Sequence, residues 1–387
     1  MPAPSEHVVD TIARTIGFTT VSRDSNLALI EWARAHLEGL GARCRLTYDS
    51  ERRKANLFAS LGPEQDGGVA LSGHTDVVPV DGQAWDTDPF RAEVAQDCLY
   101  GRGAADMKGF VGTALALAPE FVANGLRQPL HFAFSYDEEI GCIGVRDLIA
   151  DLAHAGIKPD SVIVGEPTSM RVVIGHKGKH GYRCTVRGLS CHSAYAPQGV
   201  NAVEAAAEII AYLKGMARRF RDRGPHDALF DVTHTTVHTG VIRGGTALNI
   251  VPKECSFDFE FRHLPGDDPA ALFEEVKTFA EQTLLPEMKR VDPVSGFEWE
   301  VLAVMPGLDV ASDSNPARLA LGLTDFRDIG KVSYGTEASL FQQAGMPAIV
   351  CGPGSIEQAH KPNEYVSLDQ LAQCEAFLHR LMHRVCG

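Results

Sequence analysis

The amino-acid sequence predicts an α/β protein, a mostly parallel sheet with helices on both faces, interrupted by an inserted α+β domain. Three observations lead there. The chain has 387 residues, beyond the size at which one hydrophobic core usually keeps growing, so two domains are the natural expectation. Its outer stretches alternate helix-period segments with short apolar runs, the pattern of strands covered by helices on both sides. Between them lies a stretch whose apolar and polar residues alternate singly, as in antiparallel strands with one exposed face.

The elements follow in order. Leu27, Ile30, Ala33 and Leu37 recur at helical spacing with Gly41 as a stop, and GFVGTALALAPEF reads as another helix. GVALSG at 68–73, LHFAFS at 130–135 and SVIVG at 161–165 are the buried strands between such helices. Around Lys179 the character changes. HGYRCTVRG alternates like a half-exposed strand and precedes a long helix from about Asn201 to Arg221; HTGVIRGG, ALNIVPKECSFDFEFRHLPG, a helix from about Asp268 to Leu284 and GFEWEVLAV complete the segment. After Pro306 the first style returns, with a helix from Glu337 to Ala344, the strand PAIVCG at 347–352 and a closing helix from Leu368 to Val385. The expected organisation is one domain in two parts, 1–178 and 307–387, around an inserted domain at 179–306.

Charge and cysteine content narrow the class. Lys and Arg number 36 against 50 Asp and Glu, a formal net charge of -14, which suits solubility and argues against nucleic acid or an anionic membrane as partner. The nine cysteines are scattered, odd in number and without a C-x-x-C pair, as fits reduced thiols in a cytoplasmic setting. MPAPSEHVVDTIARTIG lacks the apolar centre of a signal peptide, and no stretch approaches the roughly 18 apolar residues of a membrane span. A soluble, unprocessed, cytoplasmic protein is expected. No G-x-S-x-G elbow, H-E-x-x-H helix or Walker-type loop is present.

In an open parallel sheet, ligands gather beyond the carboxyl ends of the strands. VALSGHTD delivers His74 and Asp76 there, LHFAFSYDEE delivers Glu138 and Glu139, SVIVGEPT delivers Glu166, and AIVCGPGSIEQAH reaches His360 through a loop. GRGAADMKG adds Asp106 at the opening of a helix. Each alone has an ordinary reading: a structural histidine, a solvated acidic turn, a proline stop. Together they form the donor set of borderline divalent ions such as zinc, cobalt or manganese, which would also relieve the repulsion among Asp137, Glu138 and Glu139. Two such ions about 3.5–4 Å apart, sharing a bridging carboxylate, would activate water and polarise a carbonyl.

The motifs SGHTDVVP, GRGAADMKG, DEEIG, GEPT and AHKPNEY resemble those of the two-metal aminoacylase and carboxypeptidase family of metallohydrolases, and the resemblance spans essentially the whole chain. It implies a zinc-peptidase-like catalytic domain in the outer parts and a lid and dimerisation domain in the insertion, hence a homodimer. Carried over by residue, it implies that His74 and Glu166 hold one metal, Glu139 and His360 the other, and that Asp106 bridges them. Asp76 would fix the His74 tautomer and Glu138 would be the general base. In the insertion, His192 of RGLSCHSAYAPQGVNA would stabilise the oxyanion, commonly in the partner subunit's site; its ordinary reading is a polar lid histidine. Asn249 in ALNIVP and Arg262 in FEFRHLPG would hold the substrate carboxylate, a task that suits the planar guanidinium fork.

YGTEASLFQQAGMPAIVCGPGSIEQAHKPNEY resembles the branch of that family that hydrolyses N2-acetyl-L-ornithine to ornithine and acetate in arginine biosynthesis. Under that resemblance Glu337 either fixes the active-site wall or meets the substrate's ammonium, and a plain helix N-terminal carboxylate is the third reading. The rival functions are a broader N-acyl amino acid amidohydrolase, a succinyl-diaminopimelate desuccinylase or a dipeptidase on the same scaffold. From another class, a binding protein that has lost catalysis would lack ligands or base, and all are present.

Overall fold

A computed structural model describes residues 3–387. Two compact units emerge: one comprises the chain up to Gly175 with Leu308–Gly330 and Thr336–Gly387, the other His176–Gly307 with Lys331–Gly335.

The first unit is built mainly on one sheet, beside a small three-stranded sheet of Glu93–Ala95, Cys98–Tyr100 and Tyr365–Ser367. The strands of the large sheet are β1 (Arg43–Tyr48), β2 (Ala55–Leu61), β3 (Val69–His74), β4 (Leu130–Ser135), β5 (Ser161–Pro167), β6 (Val172–His176) and β7 (Ala348–Gly352). They lie in the order β1-β2-β4-β3-β5-β7-β6, with Leu308–Asp309 beyond β6. The central four, β4, β3, β5 and β7, are parallel. The margins are antiparallel: β1 on β2, β2 on β4 and β6 on β7. A link as short as residues 49–54 between β1 and β2 permits only a hairpin, since a parallel crossover needs a dozen residues or more. Every residue of β2 to β5 is buried, which is why these strands read as continuous apolar runs.

The helix Lys108–Ala123 is buried along most of its length, and glycines allow its close approach to the sheet. A Cβ on Gly165 of β5 would sit 2.0 Å from the Phe110 ring, and one on Gly73 of β3 would sit 2.8 Å from Met107 Cε. Helices Glu6–Ile16 and Leu368–Cys386 pack against it in turn. Among the described residues, no helix is long and apolar enough to cross a membrane.

The second unit is a four-stranded antiparallel sheet in the order Thr236–Gly244, Glu254–His263, Gly178–Arg187, Gly296–Met305. Along Glu254–His263 the buried positions alternate, placing Cys255, Phe257, Phe259 and Phe261 in one core with Ala206, Ile209, Leu213 and Met216 of the helix Ala202–Arg223. Asn201 caps that helix through its side chain. The helix expected from Asp268 to Leu284 is Pro269–Phe279, continued by a π-helical turn at Ala280–Leu284 into Leu285–Val291. Residues 247–253 are not strand, so Asn249 stands in a loop.

Candidate metal centre

Register sets the site. His74 at the end of β3 pairs with Ser135 at the end of β4, and Ser72 pairs with Val164 of β5, so three strand ends reach one edge together. Beyond β4 the chain turns sharply at Asp137, whose φ is 54°, and the amides of Gly141 and Cys142 both donate to the Glu138 carbonyl at 2.8 Å. Glu138 and Glu139 therefore occupy a turn. Their distinct surroundings come from that turn and not from strand alternation, which ends at Ser135. The first acid of the run is already neutralised, because Lys54 Nζ lies 2.6 and 2.7 Å from the two oxygens of Asp137. Only Glu138 and Glu139 are left for another cation to balance.

Asp106 sits between the imidazoles. Its Oδ1 is 2.9 Å from His74 Nε2 and its Oδ2 is 3.3 Å from His360 Nε2. Glu166 Oε1 approaches His74 Nε2 at 3.7 Å, and Glu139 Oε2 approaches His360 Nε2 at 3.0 Å. Donor atoms of His74, Asp106 and Glu139 fall within 4.8 Å of one another, as do those of His74, Glu138 and Glu166. His74 Nδ1 is 2.8 Å from the main-chain carbonyl of Asp76 and 3.6 Å from its carboxylate. A carbonyl only accepts, so the proton rests on Nδ1 and Nε2 is left as the ligating atom. The Asp76 carboxylate takes its hydrogen bonds from other donors: it accepts from Ser22 Oγ at 2.7 Å and from the amides of Glu138 and Glu139 at 3.1 and 3.4 Å. Glu138 Oε1 accepts the Cys142 thiol at 3.1 Å.

The electrostatics describe a centre short of positive charge. Burial, reinforced by neighbouring Glu139, pushes the Glu138 carboxyl up to about 8, and burial beside Asp106 pushes Glu139 up to about 7. Burial also raises Glu166 well above the carboxylate range. Hydrogen bonds to Asp106 and Glu139 lift His360 to about 10. Burial opposes the charge on His74, yet Asp106 and Asp76 raise its pKa well above the ordinary imidazole value. Protons are thus drawn to where cations belong. Glu139 Oε1 is buried with no hydrogen-bond partner among the described residues. An orphaned carboxylate oxygen beside two imidazoles and three further acids fits divalent cations.

One further candidate, Glu337, belongs to the first unit. Glu337 is 1% exposed; its carboxylate accepts from Ser135 Oγ and, at 3.4 Å, from Ser72 Oγ, and it makes no helix-capping bond. His192, Asn249 and Arg262 belong to the second unit. There His192 is exposed and its Nδ1 accepts the Ala194 amide at 3.1 Å, while the Asn249 carbonyl accepts the Ser193 amide at 3.0 Å. Arg262 is half-buried and donates to Glu260 at 2.9 Å.

Sequence reasoning missed Lys54, Ser22, Cys142, Arg102 and Glu364. The last two stand inside GRGAADMKG and AHKPNEY, and nothing in the sequence sets them apart from the other charged residues of those motifs. Glu364 accepts the amides of Gly103, Ala105 and Asp106 at 3.0, 2.9 and 3.0 Å.

An open α/β sheet with this acid and imidazole cluster at its strand ends defines a metal-dependent hydrolase. The family model of peptidase family M20/M25/M40 matches residues 70–384, and the chain belongs to that family. It is 36% identical over 383 residues to the acetylornithine deacetylase of Myxococcus xanthus, covering 97% of each chain. It is 33% identical to that of Pasteurella multocida, covering 94% of this chain and 92% of the relative. Among solved structures it resembles an aminopeptidase from Bacillus cereus, with a TM-score of 0.78 at 19% identity over 100% of both chains. A Bacillus subtilis M20-family peptidase described as binding a dinuclear metal matches with a TM-score of 0.67 at 15% identity over 98% of both. The protein is accordingly an enzyme acting on an amide, with a centre for divalent metal.

Proposed function

We propose that the protein removes the acetyl group of N2-acetyl-L-ornithine, giving ornithine and acetate in the cytoplasm, as a homodimer formed through the inserted domain and with two divalent metal ions, zinc ahead of cobalt or manganese. The placement of the two Asp106 oxygens toward different imidazoles, 2.9 Å from His74 and 3.3 Å from His360, carries the two-metal reading; the names of the full-length relatives support the substrate. His74 and Glu166 would hold one cation, Glu139 and His360 the other, with Asp106 shared. Bound divalent cations lower the pKa of water and polarise the amide carbonyl.

The chain's own groups do the rest. Glu138, free of His360 and held by Cys142, takes a proton from the attacking water at a carboxylate oxygen and returns it to the leaving amine. The Asp76 carbonyl keeps the His74 proton on Nδ1. His192 donates to the developing oxyanion, and Arg262 and Asn249 donate to the substrate's carboxylate. Glu337, buried against Ser72 and Ser135, fixes the wall beneath the centre.

The test is a substrate panel on chelator-stripped protein reloaded with zinc, cobalt or manganese. N2-acetylornithine, N-acetylmethionine, succinyl-diaminopimelate and simple dipeptides are compared by kcat/KM. The expected result is negligible turnover without metal and a clear preference for acetylornithine with it. Equal turnover of acetylmethionine would overturn the substrate assignment, and turnover that survives chelation would overturn the metal centre.

A further inference from the structure

The loop carrying Asp106 and the loop carrying His360 hold each other through one buried ion pair. Residues 98–100 pair antiparallel with Tyr365–Ser367, Tyr100 opposite Tyr365, and the Gly101 amide donates to the Glu364 carbonyl at 3.0 Å. That register sets Glu364 against residues 101–106. Its Oε1 then accepts the amides of Ala105 and Asp106 at 2.9 and 3.0 Å, and its Oε2 accepts Gly103 N at 3.0 Å and Arg102 Nη1 at 2.6 Å. A side chain from the His360 loop thus fixes the backbone on which Asp106 stands.

The reverse hold runs through Arg102. Its Nη1 also reaches the Lys361 carbonyl at 3.4 Å, and its Nη2 donates to Gln83 Oε1 at 2.6 Å. Gln83 Nε2 in turn donates to the main-chain carbonyl of His360 at 3.0 Å. His360 has φ 65°, a left-handed conformation that a non-glycine residue keeps only when its surroundings hold it there. Arg102 and Glu364 are each 1% exposed. A buried ion pair often contributes no more stability than apolar residues of the same volume would, so its physical consequence here is positional.

We infer that Arg102 and Glu364 are positioning residues, a reciprocal latch that sets the spacing of Asp106 and His360 and so governs retention of the cation that His360 would hold. This inference rests on the two-metal reading above. Breaking the latch leaves the His74 side, which β3 fixes, and loosens the His360 side. The cation that His360 would hold is therefore weakened the more of the two, since the other keeps His74 and Glu166 beside the shared Asp106.

The experiment is calorimetric titration of chelator-stripped full-length protein with Co2+, with the visible absorption spectrum recorded at each equivalent, for wild type, Glu364→Gln, Arg102→Met and Gln83→Leu. Wild type should take two equivalents. Gln83→Leu should retain one at wild-type affinity and bind the other about 10–100-fold more weakly, with a changed cobalt spectrum for that equivalent. Glu364→Gln and Arg102→Met, which also free the backbone of the shared Asp106, should weaken that equivalent at least as much and the first one less. Either substitution of the buried pair can cost folding, whereas Gln83 is only half-buried; Gln83→Leu cuts the link to His360 at the surface and decides the matter by itself. Two equivalents bound to Gln83→Leu with unchanged affinities and spectrum would overturn the latch. Failure of the wild type to take up Co2+ would instead overturn the two-metal reading, and the latch with it.

Discussion

The Asp76 carboxylate accepts the main-chain amide of Glu138 at 3.1 Å, which joins the end of β3 to the turn after β4. The same group accepts the Glu139 amide at 3.4 Å and the Ser22 hydroxyl at 2.7 Å. Asp76 therefore positions two acids of the centre through their backbone and His74 through its own carbonyl. Asp76→Ala leaves two part-buried amides without an acceptor and frees the turn, while the carbonyl contact to His74 persists. Metal affinity should fall about 10–100-fold, as for other partners of metal ligands, with kcat falling at least as far. Asp76→Asn keeps an acceptor oxygen and should fall between the variant and wild type when both are titrated with Zn2+ by calorimetry.

Glu138 differs from Glu139 in its contacts: the Cys142 thiol meets one of its oxygens, whereas Glu139 meets His360. Glu138→Gln keeps the shape and removes the proton acceptor. The expected outcome is a fall in kcat of about 10²–10⁴-fold, with metal content by elemental analysis equal to wild type. A variant that lost a metal equivalent would move Glu138 from the base to the ligand set.

The strands were legible in the sequence wherever a run is buried on both faces. GVALSG, LHFAFS and SVIVG announce β3, β4 and β5 because every residue of those strands is buried, so neither face alternates with polar side chains. ANLFASL is as fully buried, and its place on the antiparallel margin is set by the short link to β1 and not by its composition. The acids and imidazoles beyond the strand ends were legible because the sheet forces them to one edge. What compensates them was not. Lys54 is 83 residues from Asp137 and Glu364 is 258 from Asp106, and a single sequence carries no trace of such pairings. The Glu138 and Glu139 turn was also hidden, since it depends on Asp137 adopting a left-handed conformation that short polar side chains tolerate but do not demand.

Glu337 offers a pH-dependent test. Burial pushes its carboxyl up to about 7 from an ordinary 4.5, against the hydroxyls of Ser135 and Ser72, which favour the charged form. The folded protein consequently binds more protons than the unfolded chain between these values, so the stability this group lends is full below the lower value and is lost as pH rises through the upper. Glu337→Gln removes that loss. Metal-free variant and wild type should differ little in urea unfolding at pH 4.5, and at pH 8 the variant should be the more stable by up to about 3 kcal/mol. Because the side chain is enclosed, KM should change by the same factor for acetylornithine and for a neutral N-acetyl amino acid.

Lys54 and Asp137 form a nearly enclosed pair, with side chains 13% and 10% exposed. Lys54 Nζ also donates to the Ser22 carbonyl, so one ammonium ties the turn before Glu138 to the residue that holds Asp76. Burial raises the Asp137 pKa in spite of this partner. Lys54→Met removes the charge but keeps the stem, leaving a carboxylate with no cation in a site that water scarcely reaches. Breaking such a pair from one side costs about 3–5 kcal/mol. The deficit should be largest near pH 8. Without Lys54 the folded-state pKa of Asp137 rises further, so the folded variant takes up a proton that the unfolded chain does not, and stability returns as pH falls. Urea unfolding at pH 8 and pH 5 checks this: a deficit that is the same at both values would mean that Lys54 acts by packing and its bond to Ser22, and not by balancing Asp137.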